Sequence, residues 1–116
     1  MPSYRVNKDG VAHARDLIDA GEYDDRTPWS EAAPSTPESR EELDEDGYEG
    51  YGRWHLAVDQ DASEDTKGRY RFPYGDFKKV NRAALIHAKQ RASQRDHKKI
   101  EDAADELLQY LDKKRG

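Results

Sequence analysis

The strongest periodicity in the chain lies toward its C-terminus, where Ile100, Ala103, Ala104, Leu107, Leu108 and Leu111 recur at i, i+3, i+4, i+7, i+8 and i+11. That spacing puts all six on one side of an α-helix and predicts an amphipathic helix with this side buried. Upstream, Ala84, Leu85, Ala88 and Ala92 follow helical spacing in a segment that Asn81 can cap and that runs to about Gln94. Asp96 is placed to cap the helix that follows. Two consecutive amphipathic helices joined by a tight turn predict a C-terminal helical hairpin with its apolar faces together. Near the N-terminus, Val11, Ala14, Leu17 and Ile18 mark a short helix begun at Asn7 or Asp9 and stopped at Gly21.

The middle of the chain has a weaker pattern. In Tyr48 to Val58, Tyr51, Trp54 and Val58 fit a helix while Trp54, Leu56 and Val58 fit a strand, and glycines at 50 and 52 weaken the start of either. The helical reading is preferred. From Arg69 to Phe77, Tyr70, Phe72 and Tyr74 alternate onto one side, but Pro73 and Gly75 limit the segment to a short edge strand or an extended loop. The fold class predicted is mainly α, a small helical domain with room for a short β-hairpin or extended loop.

Composition changes the picture between residues 24 and 47. With 34% hydrophobic residues over 116 positions, the chain is too sparse in apolar side chains to bury all of itself. Residues 24–47 carry prolines at 28, 34 and 37 and a dense acidic run, the composition of a disordered linker. Trp29 is the exception, since a large apolar ring in a polar segment is expected to dock on the domain. The organisation predicted is an N-terminal helix with its flanking segment over 1–23, an acidic linker over 24–47 and a compact helical domain over 48–114.

Cysteine is absent, which removes disulfides and thiolate chemistry. With no apolar run of membrane-spanning length, the expectation is a soluble, cytoplasmic protein with no membrane partner. The Ile100 to Leu111 stripe permits a monomer or a weak dimer.

Charge is strongly polarised. Residues 1–66 hold 6 Lys/Arg against 18 Asp/Glu and residues 67–116 hold 14 against 7, so the net −5 conceals −12 and +7. Lys67 to Lys79 interleaves five basic residues with four aromatics. The candidate contact residues are therefore Lys67, Arg69, Tyr70, Arg71, Phe72, Tyr74, Lys78, Lys79 and Arg82, with Trp54 and the basic side of the helix starting at Asn81 beside them. Aromatics would anchor a partner segment while the cations steer and form charge-assisted hydrogen bonds, which suits a protein partner. The alternative is nucleic acid, with cations on phosphates and rings on bases. The acidic half would repel such a polyanion, and its own expected role is a solvated linker, with folding back onto the basic half or engaging a basic partner as alternatives.

Candidate chemistry is thin. Asp59-x-Asp61-x-Ser63 and Glu42-x-Asp44-x-Asp46-Gly47 resemble the opening of a calcium loop, but Tyr70 and Arg53 stand where the closing bidentate carboxylate belongs. His13, His55, His87 and His97 are too scattered to pair as metal ligands within one element. Neither Gly-x-Ser-x-Gly, a phosphate loop nor His-Glu-x-x-His occurs, so the expectation is a non-enzyme with no cofactor and no metal.

Several segments together carry a resemblance: His13-Ala14-Arg15-x-Leu17-Ile18-x-x-Gly21, Trp29, Tyr51 to Asp59, Thr66 to Asp76, Ala84-Leu85-Ile86 and Arg91-Ala92. The chain resembles small phage- and prophage-associated domains loosely linked with head-morphogenesis proteins. The resemblance covers most of the chain outside residues 30–47 and implies a virion- or assembly-associated binding module. It brings no catalytic residues with it. The acidic spacer Glu38 to Glu49 departs from the pattern, so its role does not carry over.

Overall fold

Strand β3 (His55–Asp59) is the centre of the molecule, and all five of its residues are buried. In the computed structural model, which describes residues 3–116, β3 pairs antiparallel with β1 (Tyr4–Val6) on one side and with β4 (Tyr70–Pro73) on the other. The preference for a helix through Tyr48–Val58 is thus corrected. Helix ends at Gly52, and the alternation of Trp54, Leu56 and Val58 is that of a strand covered on both faces. A second, two-stranded sheet pairs β2 (Tyr23–Asp24) with β5 (Val80–Asn81) in parallel.

Helices supply most of the remainder. α1 (Lys8–Asp19) turns Ala14 and Ile18 into the core and stops at Gly21, whose φ of +78° is the left-handed conformation expected there. Asn7 stands at the N-cap, but its side chain does other work: Nδ2 donates to the carbonyls of Gly52 and His55, at 2.9 and 3.1 Å. The helix then sits so close to β3 that a Cβ built on Gly10 falls 2.0 Å from the His55 carbonyl oxygen. Only glycine permits that approach.

α4 (Arg82–Gln94) and α5 (Lys98–Arg115) bury the stripes read from the sequence, Ala84, Leu85, Ala88 and Ala92 from one and Ile100, Ala103, Ala104, Leu107 and Leu111 from the other, while Leu108 at the margin of the second stripe is only half-buried. Asn81 caps α4 as expected, its Oδ1 accepting from the Ala84 N–H at 2.9 Å. Asp96 does not cap α5. It occupies a left-handed turn at φ +59°, and His97 takes the N-cap position. Ion pairs between Arg82 and Asp112 (2.7 Å) and between Lys89 and Asp105 (2.8 Å) join the start of α4 to the end of α5 and their middles to each other. Each fully buried Leu or Ile in this core contributes about 1.5–3 kcal/mol.

Residues 24–47, read from composition as disordered, carry α2 (Trp29–Ala32) and the first part of α3 (Thr36–Gly52). The reason is local. Ser35 Oγ accepts the Glu38 N–H at 3.3 Å while Glu38 Oε1 accepts the Ser35 N–H at 3.2 Å, a capping box with Pro37 in the first turn, where proline is tolerated. The helix breaks its own geometry at Gly47, φ +69°, before its last turn reaches β3. No described helix is long and apolar enough to cross a membrane.

Candidate functional site

β4 is an edge strand, and its outer side forms one wall of a groove of about 530 Å³. Tyr70 and Arg71 pair across to Val58 and Ala57, which fixes which way their side chains leave the sheet. Phe72 interrupts this regularity with φ +61°, a left-handed conformation that a bulky aromatic residue adopts only where its surroundings impose it. Its ring stands edge-on to Tyr4 at 5.9 Å and near His97 at 6.1 Å, closing one end of the groove.

Under the groove, Tyr51 from the end of α3 lies 4.7 Å from the His55 ring and 6.0 Å from Tyr70. His55 Nδ1 is 3.0 Å from the Tyr51 carbonyl oxygen. Because a carbonyl only accepts, Nδ1 carries the proton. Burial pushes the His55 pKa down to about 4, so the ring is neutral and acts as a packed spacer between aromatics. Burial also raises the Tyr51 hydroxyl above its ordinary pKa.

The opposite wall is α4. His87, Arg91 and Arg95 follow one another at i, i+4 and i+8, all exposed and all lining the groove. Trp29 completes the rim, half-buried, so the docking expected of it is observed. Among the described residues, no acidic side chain lines this groove, and neither Arg71, Arg91 nor Arg95 belongs to an ion pair. The result is a concave aromatic floor beneath three unneutralised guanidinium groups.

The sequence-predicted residues divide sharply. Tyr70, Arg71 and Phe72 line the groove. Tyr74 does not: it is 0% exposed, and its hydroxyl donates to the Arg53 carbonyl at 2.7 Å. Trp54, 6% exposed, packs against it at 5.6 Å and belongs to the core as well. Lys78 and Lys79 lie exposed on a turn held by their N–H groups on Asp76 Oδ1, at 3.0 and 2.8 Å, outside the groove. Arg69 Nη1 donates to the Ala62 carbonyl at 3.0 Å, and Lys67 sits beside it in a 3₁₀ turn (Lys67–Arg69). Arg82 is committed to Asp112 through two hydrogen bonds, at 2.7 and 3.0 Å, which also raise its pKa.

Tyr4, Trp29, Tyr51 and His87 also line the groove without having been singled out as site residues, and Arg91 and Arg95 had been included only collectively, as the basic side of the helix starting at Asn81. For the α4 residues a signal existed. His87, Arg91 and Arg95 run at i, i+4 and i+8 along α4 and its C-cap, past the buried Ala88 that also lines the groove, and this basic stripe is visible once that helix is drawn. Tyr4 had none, because three residues carry too short a pattern to reveal β1.

The chain matches no family model, and neither a curated protein nor a solved structure shows a match to it.

Proposed function

We propose that this protein is a non-enzymatic interaction module whose groove takes an acidic segment of a protein partner carrying at least one apolar side chain. The observation that carries this is the set of unpaired guanidinium groups, Arg71, Arg91 and Arg95, above an aromatic floor. Carboxylates would meet arginines in charge-assisted, bidentate hydrogen bonds, and an apolar side chain would displace water from the rings of Tyr70 and Phe72. The groove volume falls in the range of sites that enclose a compact ligand rather than a flat contact. The C-terminal helical hairpin would serve as the rigid support of the α4 wall. The resemblance to phage-associated domains belongs to this proposal and points to a partner in a virion or its assembly.

Nucleic acid is the second reading, favoured by the same arginines and rings. The surroundings favour it less. Glu41, Asp44 and Glu45 on α3 are exposed, and Lys67, Lys78 and Lys79 do not line the groove, so a long polyanion would meet repulsion before it found a continuous basic track.

The test is an amide-shift titration of the full chain with acetyl-Glu-Glu-Phe-Glu-Glu-amide and, separately, with single-stranded DNA, at about 50 and about 200 mM salt. Saturable shifts at Tyr70–Phe72 and Arg91–Arg95 with the peptide are expected, changing modestly with salt. Replacing Arg91 and Arg95 by Ala should weaken that binding by about tenfold or more. Shifts with DNA alone, falling steeply with salt, would transfer the groove to nucleic acid, and silence with both would overturn the proposal.

A further inference from the structure

The acidic helix α3 offers the groove an occupant. Ser39 and Leu43 are half-buried and Glu42 is buried, so one side of α3 is turned to the body of the molecule. Ser39 lies along a cleft shared with Gly75 and Phe77. The other side presents Glu41, Asp44 and Glu45, all exposed, to solvent. Among the described residues none of these three is in an ion pair. None of the three lines the groove of its own chain.

Their spacing matches what the groove displays. Glu41 and Glu45 are one helical turn apart, as are Arg91 and Arg95 at the end of α4, and each pair spans about 6 Å along its helix axis. A helix laid along the α4 wall would bring both carboxylates onto both guanidiniums in one register.

We infer that the groove of one chain docks the α3 helix of a second copy, making the protein a salt-sensitive self-associating module. This rests on the arginine part of the groove reading, since the exposed side of α3 brings carboxylates and no apolar anchor, and names an acidic segment for it. The contact is charge-led, so it is weak, fast to form and screened by salt: the Debye length shortens from about 30 Å at 0.01 M to about 8 Å at 0.15 M.

Sedimentation velocity of the full chain at about 20 mM and about 500 mM salt tests it directly. At low salt and high protein concentration the weight-average mass should rise above the 13.4 kDa of one chain, and it should return to that value at high salt. The double variants Glu41→Lys/Glu45→Lys and Arg91→Glu/Arg95→Glu should each sediment as monomers. An equimolar mixture of wild type with either should associate less than wild type alone. In Glu41→Lys/Glu45→Lys mixed with Arg91→Glu/Arg95→Glu, association should return, through the native α3 of one variant in the native groove of the other and through the charge-reversed pair. Arg91→Gln/Arg95→Gln provides a milder groove variant should the reversal disturb the end of α4, and it too should be monomeric. A monomer at low salt, or association unchanged by these substitutions, would overturn the inference. If the acidic peptide still binds such a monomer, the groove reading survives and only self-docking falls; if it does not, both fall.

Discussion

Replacing Tyr74 by Phe removes one oxygen from the place where the sequence reading and the fold disagree most. Tyr74 is completely buried, its hydroxyl donates to the Arg53 carbonyl at 2.7 Å, and its own backbone is fixed by Trp54 and Asn81 at 3.1 and 2.8 Å. Loss of the hydroxyl leaves that carbonyl without its donor while conserving the ring; because the bond is part-buried and Arg53 is exposed, the cost is that of one ordinary hydrogen bond, about 0.5–1.5 kcal/mol. For 116 residues at about 2.1 cal/mol/K each, the unfolding entropy is about 0.24 kcal/mol/K, and Tm should fall by about 2–6 °C. A thermal melt followed by near-ultraviolet circular dichroism reads this, alongside peptide binding in the groove, which should be unchanged. An unaltered Tm with weakened binding would refute the reasoning and return Tyr74 to the contact surface.

Gly10→Ala should lower stability by about 1–3 kcal/mol despite the better helix propensity of alanine, because its Cβ would lie 2.0 Å from the His55 carbonyl oxygen; Gly68→Ala, with nothing within 4 Å, should be neutral in the same denaturant titration. His55 titrates at about 4 in the fold against 6.5 when unfolded, so its stabilising contribution is complete above about pH 6.5 and is lost as pH falls toward 4; imidazole resonances showing protonation near 6.5 would contradict the burial described. Glu42 runs the other way: burial, then the hydrogen bond to Asp46, raises it from 4.5 to about 7, so the stability it contributes is present below about pH 4.5 and lost as pH rises through 7. The full shift corresponds to about 3 kcal/mol, reduced to about 1–2 by solvent on the open side of the helix, and the difference between wild type and Glu42→Gln in urea melts from pH 4.5 to 8 should display it.

What the sequence made legible followed from repetition. The stripes of α1 and α4 recur over about two turns and that of α5 over about three, and each turns most of its apolar residues into the core, with Val11, Leu17 and Leu108 left half-buried. Short strands offered no such repetition: β1 has three residues, β2 and β5 two each, and their existence depends on partners distant in the chain. Disorder was inferred for residues 24–47 from average composition, which is blind to the four-residue motif Ser35 to Glu38 that starts α3. Aromatic alternation drew attention to Tyr70 and Phe72, which line the groove, but Tyr74 follows the same alternation and goes inward, because the chain leaves β4 after Pro73 and packs Tyr74 on Trp54.

Charge polarity was legible as a total and illegible as a pattern of pairing. Two N-terminal carboxylates do reach the basic half: Asp19 pairs with Lys114 at 3.4 Å and Asp25 with Arg115 at 2.8 Å, and Asp19 also takes the Tyr110 hydroxyl. Within the basic half, Asp105 and Asp112 claim Lys89 and Arg82. These contacts hold α1 and α4 to α5, so the cations they consume serve the fold. What remains after this sorting is Arg71, Arg91 and Arg95 on one surface and Glu41, Asp44 and Glu45 on another, neither set in an ion pair among the described residues. Exposed like charges set one helical turn apart repel one another by a few tenths of a kcal/mol per pair. Both surfaces therefore carry a standing electrostatic cost that an opposite surface would relieve, and the groove is the one whose aromatic floor can add apolar contact to that relief.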